Sequence, residues 1–173
     1  MKMNKRTGKL CMMALLFLGS TLTSASVIFV DASALGANDG TSWGDAYVLL
    51  QDALDDATGG DQIWVAAGTY NPTRQVGGTG DRYKAFHLKN GVEILGGFAG
   101  TETSAEQRDW DQHSSILSGD IGVIDDPADN CYHVFYHPRN SDLDNTAVLD
   151  GFTITGGNAD YAISSCRSGG GFY

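Results

Sequence analysis

Short runs of alternating apolar and polar residues, each closed by glycine, recur along this chain. The clearest are V-E-I-L-G-G-F-A-G-T-E from Val92, V-L-D-G-F-T-I-T-G-G-N-A-D from Val148, and G-G-G-F-Y at the end. Period-two alternation of β-branched and aromatic residues predicts half-buried strands, and the glycines predict their corners. Ile63 and Val65 alternate with Gln62 and Trp64 in the same way, and Val27-Ile28-Phe29-Val30 opens the series. Further strands are expected at residues 86–88, 92–95, 115–119, 132–136, 147–155 and 161–164, with Gly68-Thr69-Tyr70-Asn71-Pro72 as a turn. Residues 101–113, polar and charged, read as an excursion outside the repeating core. One stretch has a different period. Ala46, Leu49, Leu50, Ala53, Leu54 and Ala57 fall on one helical face, Ser42 with Asp45 resembles a capping box, and Gly59-Gly60 ends the run.

Similar strand-and-turn units at solenoid-like intervals predict an all-β fold, a right-handed parallel β-helix with an N-terminal capping α-helix laid over its first rung. A β-sandwich is the competing arrangement, but it gives no role to a single leading helix. The expected organisation is a signal peptide at residues 1–25, a strand and capping helix at 26–60, and incomplete rungs at 61–173. The chain closes on the opening of another copy, so further rungs of a longer parent protein are expected partners.

The leader reading rests on Lys2, Lys5, Arg6 and Lys9, an apolar run over residues 10–18, and Thr23-Ser24-Ala25 as a cleavage site. That run is about half the roughly 20 residues a membrane span needs, so no transmembrane helix is expected in the mature chain. Loss of those four basic residues takes Lys+Arg from 11 to 7 against 21 Asp+Glu, and the formal charge from −10 to −14. Such a surface repels phosphate backbones, which argues against nucleic acid as a partner. An extracellular or cell-surface location follows as an expectation.

The opening I-F-V-D-A-S-A-L-G-A-N-D-G-T-S-W-G-D-A-Y, the segments V-L-L-Q-D-A-L-D-D-A and D-Q-I-W-V-A-A-G-T-Y-N-P, and the later G-F-T-I-T-G-G-N-A-D resemble the N-terminal portion of secreted bacterial right-handed parallel β-helix proteins of the pectin-lyase-like fold. G-G-G-F-Y is also similar to the repeats of chlamydial polymorphic outer-membrane proteins. The resemblance covers the mature chain and implies fold rather than activity, since that group holds polysaccharide lyases, hydrolases, adhesins and cell-surface proteins of no known activity. It implies that Trp43 seats the cap, that Ile63 and Val65 enter the first core layer, and that Asn158 stacks on an equivalent asparagine.

Candidate chemistry is sparse. Asp120, Asp125, Asp126 and Asp129 form the best carboxylate cluster for calcium, the one metal the sequence suggests, but they lack the D-x-D-x-D-G order of a calcium loop. A solvated acidic loop is the plainer reading, and no cofactor is the primary expectation. Arg139 and Arg167 are the candidate bases for a lyase, and Asp142 with Asp144 the candidate pair for a hydrolase, although N-S-D and D-N are turn chemistry. Trp64, Trp110, Tyr132 and Tyr136 are candidate sugar-stacking platforms, weighed against packing under loops. Cys131 and Cys166 survive leader removal, and export permits their pairing without requiring it. His133 and His137, four apart in an extended run, do not carry helical metal-ligand spacing. The function expected is scaffold with carbohydrate or cell-surface adhesion; the alternative is a polysaccharide lyase or glycoside hydrolase.

Overall fold

The computed structural model describes residues 25–138, 141–160 and 169–172. Seven strands and one α-helix follow in the order β1 (Val27–Val30), α1 (Leu50–Asp56), β2 (Gln62–Ala66), β3 (Gly68–Tyr70), β4 (Glu93–Phe98), β5 (Ser115–Ser118), β6 (Val148–Asp150) and β7 (Phe152–Thr155). They make two parallel sheets, a four-stranded one ordered β1-β2-β4-β6 and a three-stranded one ordered β3-β5-β7.

Parallel register aligns like residues into rows. Ile28, Ile63, Ile94 and Leu149 stand side by side across the first sheet, and Phe29, Trp64, Leu95 and Asp150 form the next row on its other face. The first row enters the main core with Val30, Val65, Phe86, Leu117 and Phe135. The second is covered by Trp43, whose ring centroid lies 4.8 Å from Phe29 and 5.5 Å from Phe98, while Trp64 stacks on Phe98 at 4.8 Å. Burial on both faces explains why β2 holds four buried residues in a row where simple alternation predicts two.

This architecture corrects the all-β solenoid expected from the repeats: the fold is mixed α/β, two short parallel sheets and one helix. Two physical facts overturn the earlier reading. Leu50, Ala53, Leu54 and Ala57 belong to the same core as Val30, Ile63 and Val65, so α1 is part of the packing layer rather than a plug over a coil. The strands of the first sheet begin at residues 27, 62, 93 and 148, and this uneven spacing is not the fixed return of a repeat.

Local expectations change with it. The helix spans Leu50–Asp56 rather than residues 46–57 because Tyr47 pairs with β1, its amide donating to Phe29 O (2.9 Å) and its carbonyl accepting from Asp31 N (2.9 Å). Ser42 and Asp45 do exchange hydrogen bonds, at 3.1 and 3.0 Å, but they shape the preceding loop, and the residue before the helix, Leu49, makes no side-chain cap. Residues 68–70 are strand β3 instead of a turn. Residues 86–88 and 132–136 carry only isolated bridges, Phe86 to Phe135 and Phe135 to Phe172. Trp43 lies on the outer aromatic row and donates to Glu102 O (2.9 Å), and Asn158 Nδ2 donates to Pro127 O (2.7 Å) rather than joining an asparagine stack. The leader through residue 24, Arg139 and residues 161–168, with Cys166 and Arg167, lie outside the described residues.

Asp61 ties the start of β1 to the turn after α1. Its Oδ2 accepts from the Thr58 amide (2.8 Å) and hydroxyl (2.9 Å), and its Oδ1 from the Ser26 amide and hydroxyl (both 2.9 Å). Donation by the Thr58 amide, followed by Ser26 and the Thr58 hydroxyl, outweighs burial and lowers the carboxyl from 3.8 to about 2. Because the folded value lies below the ordinary one, its stabilisation is complete above about pH 4 and is lost as pH falls toward 2. Asp61→Asn should cost about 1–3 kcal/mol and flatten the acid limb between those values, as read by thermal unfolding across pH.

Candidate functional site

The excursion between β4 and β5 builds the most open aromatic feature among the described residues. A short 3-10 turn, Ala105–Gln107, is closed by a reciprocal capping box between Ser104 and Gln107. It returns the chain so that Asp109 N donates to Gly97 O (2.8 Å), laying Trp110 along β4. Gly97 has φ +92°, and a Cβ there would stand 3.0 Å from the Trp110 amide nitrogen, so the approach requires glycine. Arg108, held by its own Nε donating to Ala105 O (3.0 Å), donates from Nη1 to Asp150 Oδ2 (2.9 Å) at the outer end of the second row. Its guanidinium lies 5.7 Å from the Trp110 ring centroid and 6.0 Å from that of Phe98.

Trp110 remains 55 % exposed. With Asp111, Ser114, Asp150, Gly151, Phe152 and Thr153 it lines an open groove of about 460 Å3. This volume suits a small ligand, and the lining combines one flat apolar face with carboxylates and hydroxyls. A larger groove of about 630 Å3 crosses the starts of β1, β2, β4 and β6, but it has no aromatic wall, and its Glu93 already accepts from Gln62 Nε2 (2.7 Å).

The other aromatic candidates divide. Trp64 is buried in the outer row and donates to Gln62 Oε1 (2.9 Å), which removes it as a platform. Tyr132 is buried, with the Arg82 guanidinium 4.2 Å above its ring and Tyr83 edge-on at 5.1 Å. Tyr136 is half-buried and stacks on His133 at 5.6 Å. These tyrosines do meet, in a cleft with Val76, Gly77 and Lys84, but it encloses only about 10 Å3, room for one water and not for a sugar ring. Only Trp110 of the four presents an open face. Arg108 was not legible as its companion, since the ion pair to Asp150 joins residues 42 apart in sequence.

The acidic candidates serve their own loop. Asp120 Oδ2 accepts from Asp125 N (3.0 Å), Asp126 Oδ1 from Ala128 N (2.9 Å), and Asp129 Oδ2 from Val123 N (2.7 Å). Among the described residues no group of three or more His, Cys, Asp or Glu is gathered to hold a metal ion. Asp144 accepts from Thr146, whose hydroxyl and then amide lower its carboxyl, and Asp144 N donates to Asn90 Oδ1 (3.0 Å). Asp142 has φ +39°, and its carbonyl accepts from Asn90 Nδ2 (2.9 Å). Asp144 opens a turn, its carbonyl accepting from Ala147 N (3.3 Å). Cys131 is buried, and its candidate partner Cys166 lies outside the described residues. No helix among the described residues is long and apolar enough to cross a membrane.

His133 and His137 part company. His133 Nδ1 pairs with Gly169 O (2.9 Å), whereas His137 lies beside His87 with ring centroids 4.5 Å apart. Nε2 of His137 accepts from Leu88 N (3.4 Å), and its buried Nδ1 has no partner among the described residues. Burial, and secondarily His87, push His137 from 6.5 down to about 4.

No family model, curated protein or solved structure matches the chain.

Two outcomes follow from this geometry. Gly97→Ala should destabilise by about 1–3 kcal/mol and displace Trp110, visible as a changed Trp emission spectrum in the folded protein. The contribution of neutral His137 is complete above about pH 6.5 and is lost as pH falls through about 4, so His137→Gln should reduce the fall in unfolding midpoint over that interval.

Proposed function

We propose that this is an exported, secreted or cell-surface protein that binds carbohydrate in the groove beneath Trp110. The observation that carries the reading is an exposed indole fixed at the wall of a 460 Å3 groove by its backbone contact with Gly97 and by the Arg108–Asp150 pair behind it. An immobilised aromatic face matches the apolar face of a sugar ring and loses little conformational entropy on binding, while Asp111, Ser114 and Thr153 offer polar partners for hydroxyls. Export is supported by the basic, apolar and small-residue order of residues 2–25 and by the resemblance to secreted bacterial surface proteins.

The groove's charge bears on the ligand. Arg108 is engaged by Asp150, and Asp111 adds a second carboxylate, so neutral or amino sugars fit this lining better than uronates. Binding there needs no organic or redox cofactor, and the calcium considered for the acidic segment is separate from this groove. Of the residues put forward for catalysis, the Asp144 carboxylate is engaged by Thr146, and Arg139 and Arg167 lie outside the described residues.

Calorimetry with neutral, amino and uronic oligosaccharides tests the reading. Trp110→Ala should weaken binding about tenfold or more, equivalent to about 1.4 kcal/mol, with Trp110→Phe retaining part of it. Equal binding by Trp110→Ala, or binding to none of the three classes, would reject the groove.

A further inference from the structure

Asp61 is a buried carboxylate without a cation. It is only 8 % exposed, and among the described residues no Lys, Arg or His pairs with it. Charged side chains of the adjoining segments are committed elsewhere. Asp55 pairs with Arg74, Asp56 accepts from Tyr47 Oη, Lys89 Nζ donates to Asp55 O (2.9 Å) and Ala57 O (3.0 Å), and Glu93 Oε2 accepts from Gln62 Nε2 (2.7 Å). A buried aspartate ordinarily has a positive partner, and here the neutral donors of Thr58 and Ser26 stand in that place.

One of those donors is the backbone nitrogen of Ser26, 2.9 Å from Asp61 Oδ1. The same nitrogen belongs to the bond at which Thr23-Ser24-Ala25 places leader removal. These are independent observations, one from the order of residues and one from the packing of the segment before β1 against the turn after α1. We infer that Asp61 is the receptor for the new N-terminus: hydrolysis adds water across the Ala25–Ser26 peptide bond, leaves a carboxylate on Ala25 and an ammonium on Ser26, and that ammonium forms an ion pair with Asp61 Oδ1. The pairing rests on export of the chain and is independent of any sugar bound at Trp110. No rearrangement is needed. The nitrogen already stands at hydrogen-bond distance, Ser26 Oγ donates to the same oxygen (2.9 Å), and Ser26 O accepts from Gln62 N (2.9 Å), so only the charge changes. Ser26 is exposed and, with Ala25, lines the open groove of about 630 Å3 across the strand starts, so the remaining ammonium hydrogens reach water. A charge-assisted bond then replaces a neutral one where β1 is tied to the turn before β2, and the processed chain is more stable than its precursor. Asp61 raises the amine above its ordinary value of about 8, so this stabilisation is complete below about pH 8 and is lost as pH rises through the raised value.

Export of the full chain from a bacterial host, with mass spectrometry of the product, locates the cut, and Ser26 is the expected first residue. The exported protein is then compared by thermal unfolding at pH 7 with a chain made to begin at Ala25, each with and without Asp61→Asn. Keeping Ala25 should lower the midpoint by about 3–6 °C in the unaltered protein and by little beside Asp61→Asn. If Asp61→Asn does not fold, NMR titration of the terminal amine answers on the unaltered side chain: the Ser26 amine should titrate above about 8, and the Ala25 amine near it. Absence of processing would overturn both the export reading and the pairing. A cut at another bond, or a Ser26 terminus whose amine titrates normally and adds no stability over the chain keeping Ala25, would overturn the pairing and leave export standing.

Discussion

Parallel register across the four-stranded sheet is the constraint on which the other features rest. With Ile28, Ile63, Ile94 and Leu149 in one row, the next row must be Phe29, Trp64, Leu95 and Asp150, because side chains alternate faces along every strand. A slip of one residue would send the isoleucines outward and carry Trp64 into the core. The same register delivers Asp150 to the outer face, where Arg108 meets it and where Trp110 rests on the glycine corner of β4. Fold and groove are therefore consequences of one alignment. Asp61 reinforces it at the strand starts, joining Ser26 ahead of β1 to Thr58 ahead of β2 through four accepted hydrogen bonds.

Local structure was more legible than architecture. Alternation located β1, β2, β4 and β5, since Ile63, Val65, Ile94 and Leu117 announce buried positions without help from distant residues. Whether a helix caps a core or belongs to it depends on which face of the sheets Leu50 and Leu54 meet, and that information is not local. The similar glycine-flanked runs suggested a regular solenoid, but sequence grammar does not weigh the long irregular stretch between β5 and β6 that breaks the spacing. The capping-box pattern at Ser42 misled for a related reason. Its hydrogen bonds formed, while pairing of Tyr47 with β1 kept the following residues extended.

The candidate site was legible in part. Trp110 stood out because it is aromatic within a polar excursion, yet nothing separated it from Trp64, which the register buries. Arg108 was missed because an arginine gains meaning only from its distant carboxylate, here Asp150. The acidic excess of the chain likewise blurred four aspartates into one cluster, although three of them satisfy backbone amides within their own turn.

The three tryptophans divide between two dielectric environments. Trp43 and Trp64 lie 6.5 Å apart within the outer aromatic row, close enough for their indole transitions to couple, whereas Trp110 faces water with a guanidinium beside it. Near-ultraviolet dichroism therefore originates chiefly in the first pair and follows the integrity of the sheet. Long-wavelength emission originates chiefly in Trp110 and follows what enters the groove. The protein carries separate optical signals for being folded and for being occupied, without any added label.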